Sequence, residues 1–421
     1  MKRFLTLLLA VFMFTGCDGF ANKDNIMNLL SSPKLSQREN RIVSCIKDYL
    51  GQDVILKYPK QGSNISPVQT VDLSGDGSDE AVVLYTAPGM GGTVRLAVLS
   101  GQDNIWQVEY EGEGLGSEIH SISFTDLTPS ADRQIVVGYT YSDSSEKFLS
   151  VYFTDDDKVS DIQHQTCQDY LVADVTGDGI QDIILAGVNA DNQYTQLKLL
   201  SASENGVLTS LVTRQLKVPN ARVTSIALSK NDFSDKMAIV VDYTDSYFRV
   251  YTQGMYFSDY KLNEILSPDQ VQKRWVYDYS LDSRDVDADG YLETPTVIDS
   301  GNTMPENMKF MEWTSYLAQQ PVRKYYGFCE ASSGIYFRLP ELWQNYVVMT
   351  YGENENIWLL KQTTENKTIV TFELLSTGYD EDLADNEIIV GTGTLQIKIT
   401  FDDSVSADQR QYITEGLMYI K

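Results

Sequence analysis

The chain has 421 residues, 42% of them hydrophobic and 22% charged, a globular composition long enough for more than one domain of about 150 residues. Against 59 Asp and Glu stand only 33 Lys and Arg, a formal net charge of −26. Polyanions are repelled by such a surface, so nucleic-acid binding is excluded, and two histidines, His120 and His164, leave almost no room for a histidine-built metal site or a Ser/His/Asp triad.

The N-terminus carries an export signal. Met1-Lys2-Arg3 is a basic start, and the apolar run from Phe4 to Phe14 is too short for the roughly 20 helical residues that cross a bilayer. Residues 1–16 are therefore expected to be a signal peptide. The stretch Phe14-Thr15-Gly16-Cys17 resembles the lipobox of bacterial lipoproteins, with Phe14 where that motif usually has Leu. The resemblance implies that Cys17 is lipidated and holds the chain at the outer face of the cell membrane through lipid alone; a plain secreted protein is the alternative. Residues 17–34 are polar and mixed and form a tether. Cys45, Cys167 and Cys329 are an odd set, which rules out a complete disulfide framework despite the export signal.

Residues 35–65 are expected to hold a helix and a lead-in strand. Ser36 and Glu39 form a capping box, and Ile42, Cys45, Ile46, Tyr49 and Leu50 share one helical face before Gly51. That apolar face must be buried against the β segments C-terminal to it.

From residue 66 the pattern is β. Val- and Ile-rich runs such as Ala81–Tyr85 and Gln134–Tyr139 alternate with Gly, Asp and Ser clusters. The segment VDLSGDGSDEAVVL at 71–84 returns as ADVTGDGIQDIILA at 173–186 and RDVDADGYLETPTV at 284–297. Weaker copies begin at Asp126 and Leu228. A period of roughly 50 residues, with about four short strands in each, is the signature of a propeller blade. The expected fold is mainly β, with residues 66–330 forming a β-propeller of about five four-stranded blades; six or seven are the alternatives. Residues 331–421 lack the loop and are expected to form a small α+β domain ending in a helix from Ser406, with Trp343 in its core.

The repeated loop holds the chemistry. Its positions 1, 3, 5 and 9 are Asp72, Ser74, Asp76 and Glu80 in the first copy, and Asp174, Thr176, Asp178 and Asp182 in the third. In the fifth they are Asp285, Asp287, Asp289 and Glu293. Oxygens converging from one tight loop suit Ca²⁺, which takes about six to eight of them. An EF-hand would need a bidentate Glu at position 12, where this chain has Val83, Leu185 and Thr296, and helices on either side, where it has β runs. The loops resemble those of FG-GAP or VCBS repeats in integrin-α-like propellers. That resemblance implies structural Ca²⁺ at up to three sites between blade strands. The second copy has Thr128, Ser130 and Gln134 at positions 3, 5 and 9, and the fourth has Leu228, Lys230 and Lys236 at 1, 3 and 9, so neither is expected to hold an ion. The overall layout is also similar to surface lipoproteins of Gram-positive bacteria.

With 26 tyrosines and 5 tryptophans for flat contact area, the expected role is a non-catalytic binding or scaffold module for protein or glycan ligands at the cell envelope. A hydrolase using paired carboxylates and an accessory or sensor subunit of an envelope complex are the alternatives. No GxSxG, HExxH or P-loop occurs; Gly89-Met90-Gly91-Gly92 is read as a hairpin turn.

Overall fold

In the computed structural model, which describes residues 35–420 apart from 103–104, 143, 156–157, 190–192, 271–280, 300, 302, 376–381 and 393–394, the first element is the helix α1 (Gln37–Leu50). Ser36 accepts from the Glu39 N–H and the Glu39 carboxylate accepts from the Ser36 N–H, so two orphan donors of the first turn are satisfied. Gly51 ends the helix at φ 66°, in the left-handed region. The signal segment, Cys17 and the tether lie outside the described residues.

Among the described residues, six antiparallel sheets come after the helix. The first holds β1 (Ile55–Leu56), β2 (Val68–Val71), β3 (Glu80–Thr86), β4 (Arg95–Gln102) and β5 (Ile105–Glu113). The second holds β6 (Glu118–Thr125), β7 (Gln134–Thr140), β8 (Lys147–Asp155) and β9 (Lys158–Cys167). The third holds β10 (Asp169–Ala173), β11 (Asp182–Val188), β12 (Thr195–Ala202) and β13 (Leu208–Gln215). The fourth holds β14 (Arg222–Ser229), β15 (Ala238–Thr244), β16 (Val250–Ser258) and β17 (Lys261–Leu266). In each of these four the repeated loop joins the first strand of the repeat to the second, and the strands then meander outward in chain order.

The fifth sheet departs from this plan. Its first repeat strand is reduced, among the described residues, to an isolated bridge between Arg284 and Glu293. β18 (Glu293–Ile298), β19 (Met308–Ser315) and β20 (Val322–Glu330) continue the repeat, and β21 (Ile335–Leu339) extends it. The sixth sheet is built from β22 (Val347–Tyr351), β23 (Ile357–Gln362), β24 (Thr368–Leu375), β25 (Glu387–Thr392) and β26 (Leu395–Phe401). After the helix α2 (Ala407–Thr414), capped reciprocally by Ser406 and Gln409, β27 (Leu417–Tyr419) returns to pair with β21.

Packing runs from each sheet to the next. In β3, Val82 and Leu84 face Ile135, Val137 and Tyr139 of β7, while Ala81, Val83 and Tyr85 face Ile42, Val43 and Ile46 of α1. Val136 and Val151 turn from that core toward Ile183 and Leu185 of β11, and Ile184 and Ala186 turn on toward Ile239 and Val241 of β15. Because both faces of these second strands are covered, they are apolar at nearly every position instead of alternating. The outer strands β5, β9 and β13 are covered less and alternate. Among the described residues no core cluster joins the first sheet to the fifth; α1 occupies the free face of the first.

The C-terminal sheet shares one core with the fifth. Phe310 and Phe328 lie in the same cluster as Trp358, Phe372 and Ile399, with Phe328 and Phe372 rings 5.0 Å apart. Trp343 packs partly buried at its edge. The chain thus continues one sheet and one core across residues 330–331: β21 and β27 lie beyond that point and belong to the fifth sheet. A sequence reading misses this because β27 is three residues long and its partner lies far upstream.

The helix-to-sheet core should be a measurable part of the stability. Ile46 is fully buried, and truncating a fully buried Ile to Ala costs about 2–5 kcal/mol. Ile46→Ala is expected to lower the urea midpoint accordingly, whereas the exposed Tyr49→Ala should leave it almost unchanged.

Candidate metal centre

The three strong loops are built alike from backbone hydrogen bonds. The carboxylate at position 1 accepts two N–H groups: Asp72 from Gly75 at 2.7 Å and Gly77 at 3.0 Å, Asp174 from Gly177 at 2.6 Å and Gly179 at 2.9 Å, Asp285 from Asp289 at 3.2 Å and Gly290 at 2.9 Å. The carboxylate at position 5 closes a short turn, Asp76 on Ser78, Asp178 on Ile180 and Asp289 on Tyr291. These turns need left-handed backbone at position 6, where Gly77, Gly179 and Gly290 have φ of 89°, 87° and 93°. Gly75 adds a steric reason for glycine, since a Cβ there would lie 3.1 Å from the Ala131 carbonyl of the neighbouring loop.

Position 9 works differently. Glu80, Asp182 and Glu293 are almost wholly buried, and each accepts the backbone N–H of position 2, from Leu73 at 2.7 Å, Val175 at 3.1 Å and Val286 at 3.1 Å. The side chain at 9 thus ties the loop's entrance to its exit. In the second copy Gln134 makes the same bond to Leu127 at 2.7 Å, and its amide donates to Thr128 and to the Asp132 carbonyl. A neutral amide does the clamping there without a buried charge.

Only the fifth loop draws three carboxylates together. Asp285, Asp287 and Asp289 offer oxygens within 4.8 Å of one another, among the described residues the one such acidic group. The acids of the first and third loops do not converge to that distance, where position 3 is the hydroxyl of Ser74 or Thr176. Calcium nevertheless fits the donor set, because Ser74 Oγ and Glu293 Oε1 are buried without a hydrogen-bond partner. Burial, then the charges of Asp287 and Asp289, push Glu293 up to about 7, and burial likewise raises the Asp182 carboxyl. These groups lack a counter-charge that a divalent ion would supply.

Lysines already occupy part of that role. Lys324 Nζ pairs with both Asp287, at 3.0 Å, and Asp289. Burial works to raise Asp289, and the Lys324 ammonium outweighs it, holding the carboxyl below its usual range. The fourth loop, which departs from the acidic pattern, lends its two lysines to its neighbours. Lys236 Nζ donates to the Thr176 carbonyl of the third loop, and Lys230 Nζ donates to the Asp289 carbonyl of the fifth at 2.7 Å. The first loop receives Arg38 of α1 instead, paired with Asp79 at 3.1 Å across an exposed gap. None of these cations was legible from spacing, since each comes from a different repeat or element.

The loops also touch in sequence. Arg133 N donates to the Leu73 carbonyl, Gln181 N to the Asp126 carbonyl, and Lys230 N to the Gly290 carbonyl. All five loops therefore line one side of the row of sheets. Among the described residues no disulfide forms: Cys45 is partly buried and Cys167 and Cys329 are buried, and burial raises the Cys167 thiol to about 12, far from a reactive thiolate.

No family model and no curated protein matches the chain. Among solved structures it is similar to Sqt1 of Saccharomyces cerevisiae at TM-score 0.32 and 8% identity, covering 76% of this chain and 92% of that one. It is similar to Sqt1 of Chaetomium thermophilum at TM-score 0.33 and 10% identity, covering 72% and 78%. A rhamnogalacturonan lyase of Bacillus licheniformis matches at TM-score 0.30 and 14% identity, over 66% of each chain.

Glu293→Gln should reproduce the clamp of the second loop. The folded carboxyl ionises near pH 7 and the unfolded one near 4.5, so ionisation costs folding free energy above about pH 7, and the cost fades as pH falls toward 4.5. At about 1.4 kcal/mol per pKa unit, the variant is expected to be more stable than the parent by about 3 kcal/mol in chelator at about pH 8, and no more stable at about pH 4. Urea denaturation at both pH values measures this.

Proposed function

We propose that the chain is a surface-anchored lipoprotein whose repeats form a calcium-stabilised, propeller-like array, acting as a non-catalytic binding or scaffold module for protein or glycan ligands at the cell envelope. The observation that carries this reading is the recurrence of one acidic loop, with one hydrogen-bonding plan, between the first and second strands of the first and third sheets and at the matching place in the fifth. Its carboxylates accept backbone N–H groups and, in the fifth loop, the Lys324 ammonium, an arrangement suited to holding a loop and a cation. Asp72, Ser74, Asp76 and Glu80, their counterparts Asp174, Thr176, Asp178 and Asp182, and Asp285, Asp287, Asp289 and Glu293 would hold the ions. Calcium supplies charge neutralisation there and no chemical step.

Binding the folded state alone stabilises by about 2.7 kcal/mol per site at a hundredfold excess over Kd. Millimolar Ca²⁺ should raise the melting temperature, Mg²⁺ should do so less, and Asp178→Ala should remove part of the response. Asp126→Ala, which loses only a half-exposed ion pair with Arg133, should keep all of it. Equal losses from both variants, or no calorimetric Ca²⁺ binding, would remove the metal from the proposal.

The anchor is tested separately. Cys17→Ala is expected to move the protein from the membrane pellet to the supernatant, as read by fractionation and immunoblot. Retention of the variant in the pellet counts against lipidation at this cysteine.

A further inference from the structure

On the side of the sheets away from the acidic loops lies a cavity of about 830 Å³, within the roughly 300–1,000 Å³ of small-ligand clefts. Four successive parts of the chain wall it. Lys60 comes from the lead-in to β2, whose backbone N–H groups at 60 and 61 donate to carbonyls of β6. His120, Thr140 and Lys147 come from the second sheet, Gln168 from the start of the third, and Arg222, Thr224 and Asp245 from the fourth.

Charge in this cavity runs against the composition of the chain. Lys60 pairs with Glu118, and Lys147 sits 2.8 Å from Asp169. Asp245 is sequestered by Arg249 at 2.6 Å, and Asp282 accepts the Thr224 hydroxyl at 2.6 Å while facing Arg284. Arg222 is exposed and forms no ion pair with any described residue. In a protein with 59 acidic side chains and 33 basic ones, a cavity whose cation without an ion pair among the described residues is a guanidinium suits an anion. A guanidinium fork matches a carboxylate in geometry, with two parallel hydrogen bonds.

The rest of the wall is polar but uncharged. Thr140, Ser142, Ser144, Ser145, Thr224 and Thr244 place hydroxyls around it. Burial, with the Lys147 ammonium, pushes His120 below its usual range, so it faces the cavity as a neutral imidazole able to donate and accept.

At the mouth stands an aromatic held in an unfavourable backbone conformation. The turn between β15 and β16 exposes Tyr247 and Phe248, at 78% and 72%, and Phe248 lines the cavity with φ of 59°. A bulky residue with positive φ is a true outlier, and such strain gathers at binding sites. Here the buried Asp245 carboxylate enforces it, accepting the Tyr247 and Arg249 N–H groups at 2.9 Å each, the Arg249 guanidinium and the Tyr251 hydroxyl at 3.0 Å. Glycine or asparagine would fit the turn better; the turn instead spends stability to hold a phenyl ring in water beside a hydroxyl-lined cavity.

We propose that this cavity binds a short acidic oligosaccharide, the carboxylate of a hexuronate seated on Arg222, the ring hydroxyls on the Thr and Ser wall, and a sugar face stacked on Phe248. The proposal deepens the reading of the chain as a binding module and rests on it. Neither the acidic loops nor calcium take part in it.

The test is calorimetric titration of the full-length protein, in mild detergent, with a mannuronate trisaccharide, its carboxyl-reduced neutral counterpart and a glutamate-rich peptide. The acidic trisaccharide is expected to bind at least tenfold more tightly than either of the others. Arg222→Gln should lower that affinity at least tenfold without lowering the melting temperature. Phe248→Gly should lower it similarly while the melting temperature holds or rises, a combination that a purely structural Phe248 would not give. Absence of binding at millimolar trisaccharide, equal binding of the neutral sugar or the peptide, or indifference to Arg222→Gln overturns the proposal and leaves the binding-module reading standing. Shortening of the trisaccharide on incubation, seen by mass spectrometry and lost in Arg222→Gln, would instead keep the site and overturn the non-catalytic reading.

Discussion

The structure depends on one constraint: the second strand of each of the first four repeats is apolar on both faces, so none of those sheets can stand without a neighbour on each side. Val82 and Leu84 need the second sheet as much as Ala81 and Val83 need α1. A stack of such sheets is stabilised as a sum of nearest-neighbour interfaces, and its ends must be closed by something that is not another repeat. The helix closes one end with Ile42, Val43 and Ile46. The C-terminal sheet closes the other with an aromatic cluster around Phe328 and Phe372. Both ends are thus as firmly part of the array as the repeats between them.

A second constraint comes from charge. A chain this acidic places several carboxylates in each strong loop, where they would repel one another. Much of the answer lies in the backbone, since N–H groups turned inward by the glycine-rich turns act as fixed partial charges under Asp72, Asp174 and Asp285. The residue at position 9 is a separate device. Its burial beside the chain's own N–H closes the loop whether it is Glu, Asp or, in Gln134, an amide.

Much of this was legible in the sequence, and the remainder has a physical reason for escaping it. The capping box at Ser36, the stop at Gly51 and the five loops are local signals, each carried by a few adjacent residues, and the structure places them as the spacing predicts. The end of the fifth sheet was not legible, because β21 and β27 are short strands whose pairing is decided by partners about eighty residues apart. The lysines that reach into the third and fifth loops escaped for the same reason: Lys230 and Lys236 look like defects in their own loop and act only in the next. Likewise the cavity walls come from four parts of the chain with no shared motif, and Phe248 looks like any surface aromatic until its backbone angle is known.

Those borrowed lysines have a consequence for where the molecule senses its surroundings. A cation carried on a side chain is present at a fixed effective concentration, whatever the medium holds. Lys324 and Lys230 at the fifth loop, and Lys236 at the third, give those loops a permanent companion charge. Among the described residues the first loop has only Arg38, which is solvent-exposed and screened by salt. Responsiveness to the ionic medium is therefore polarised along the array: it is concentrated in the first sheet, beneath the helix, and fades toward the C-terminal end.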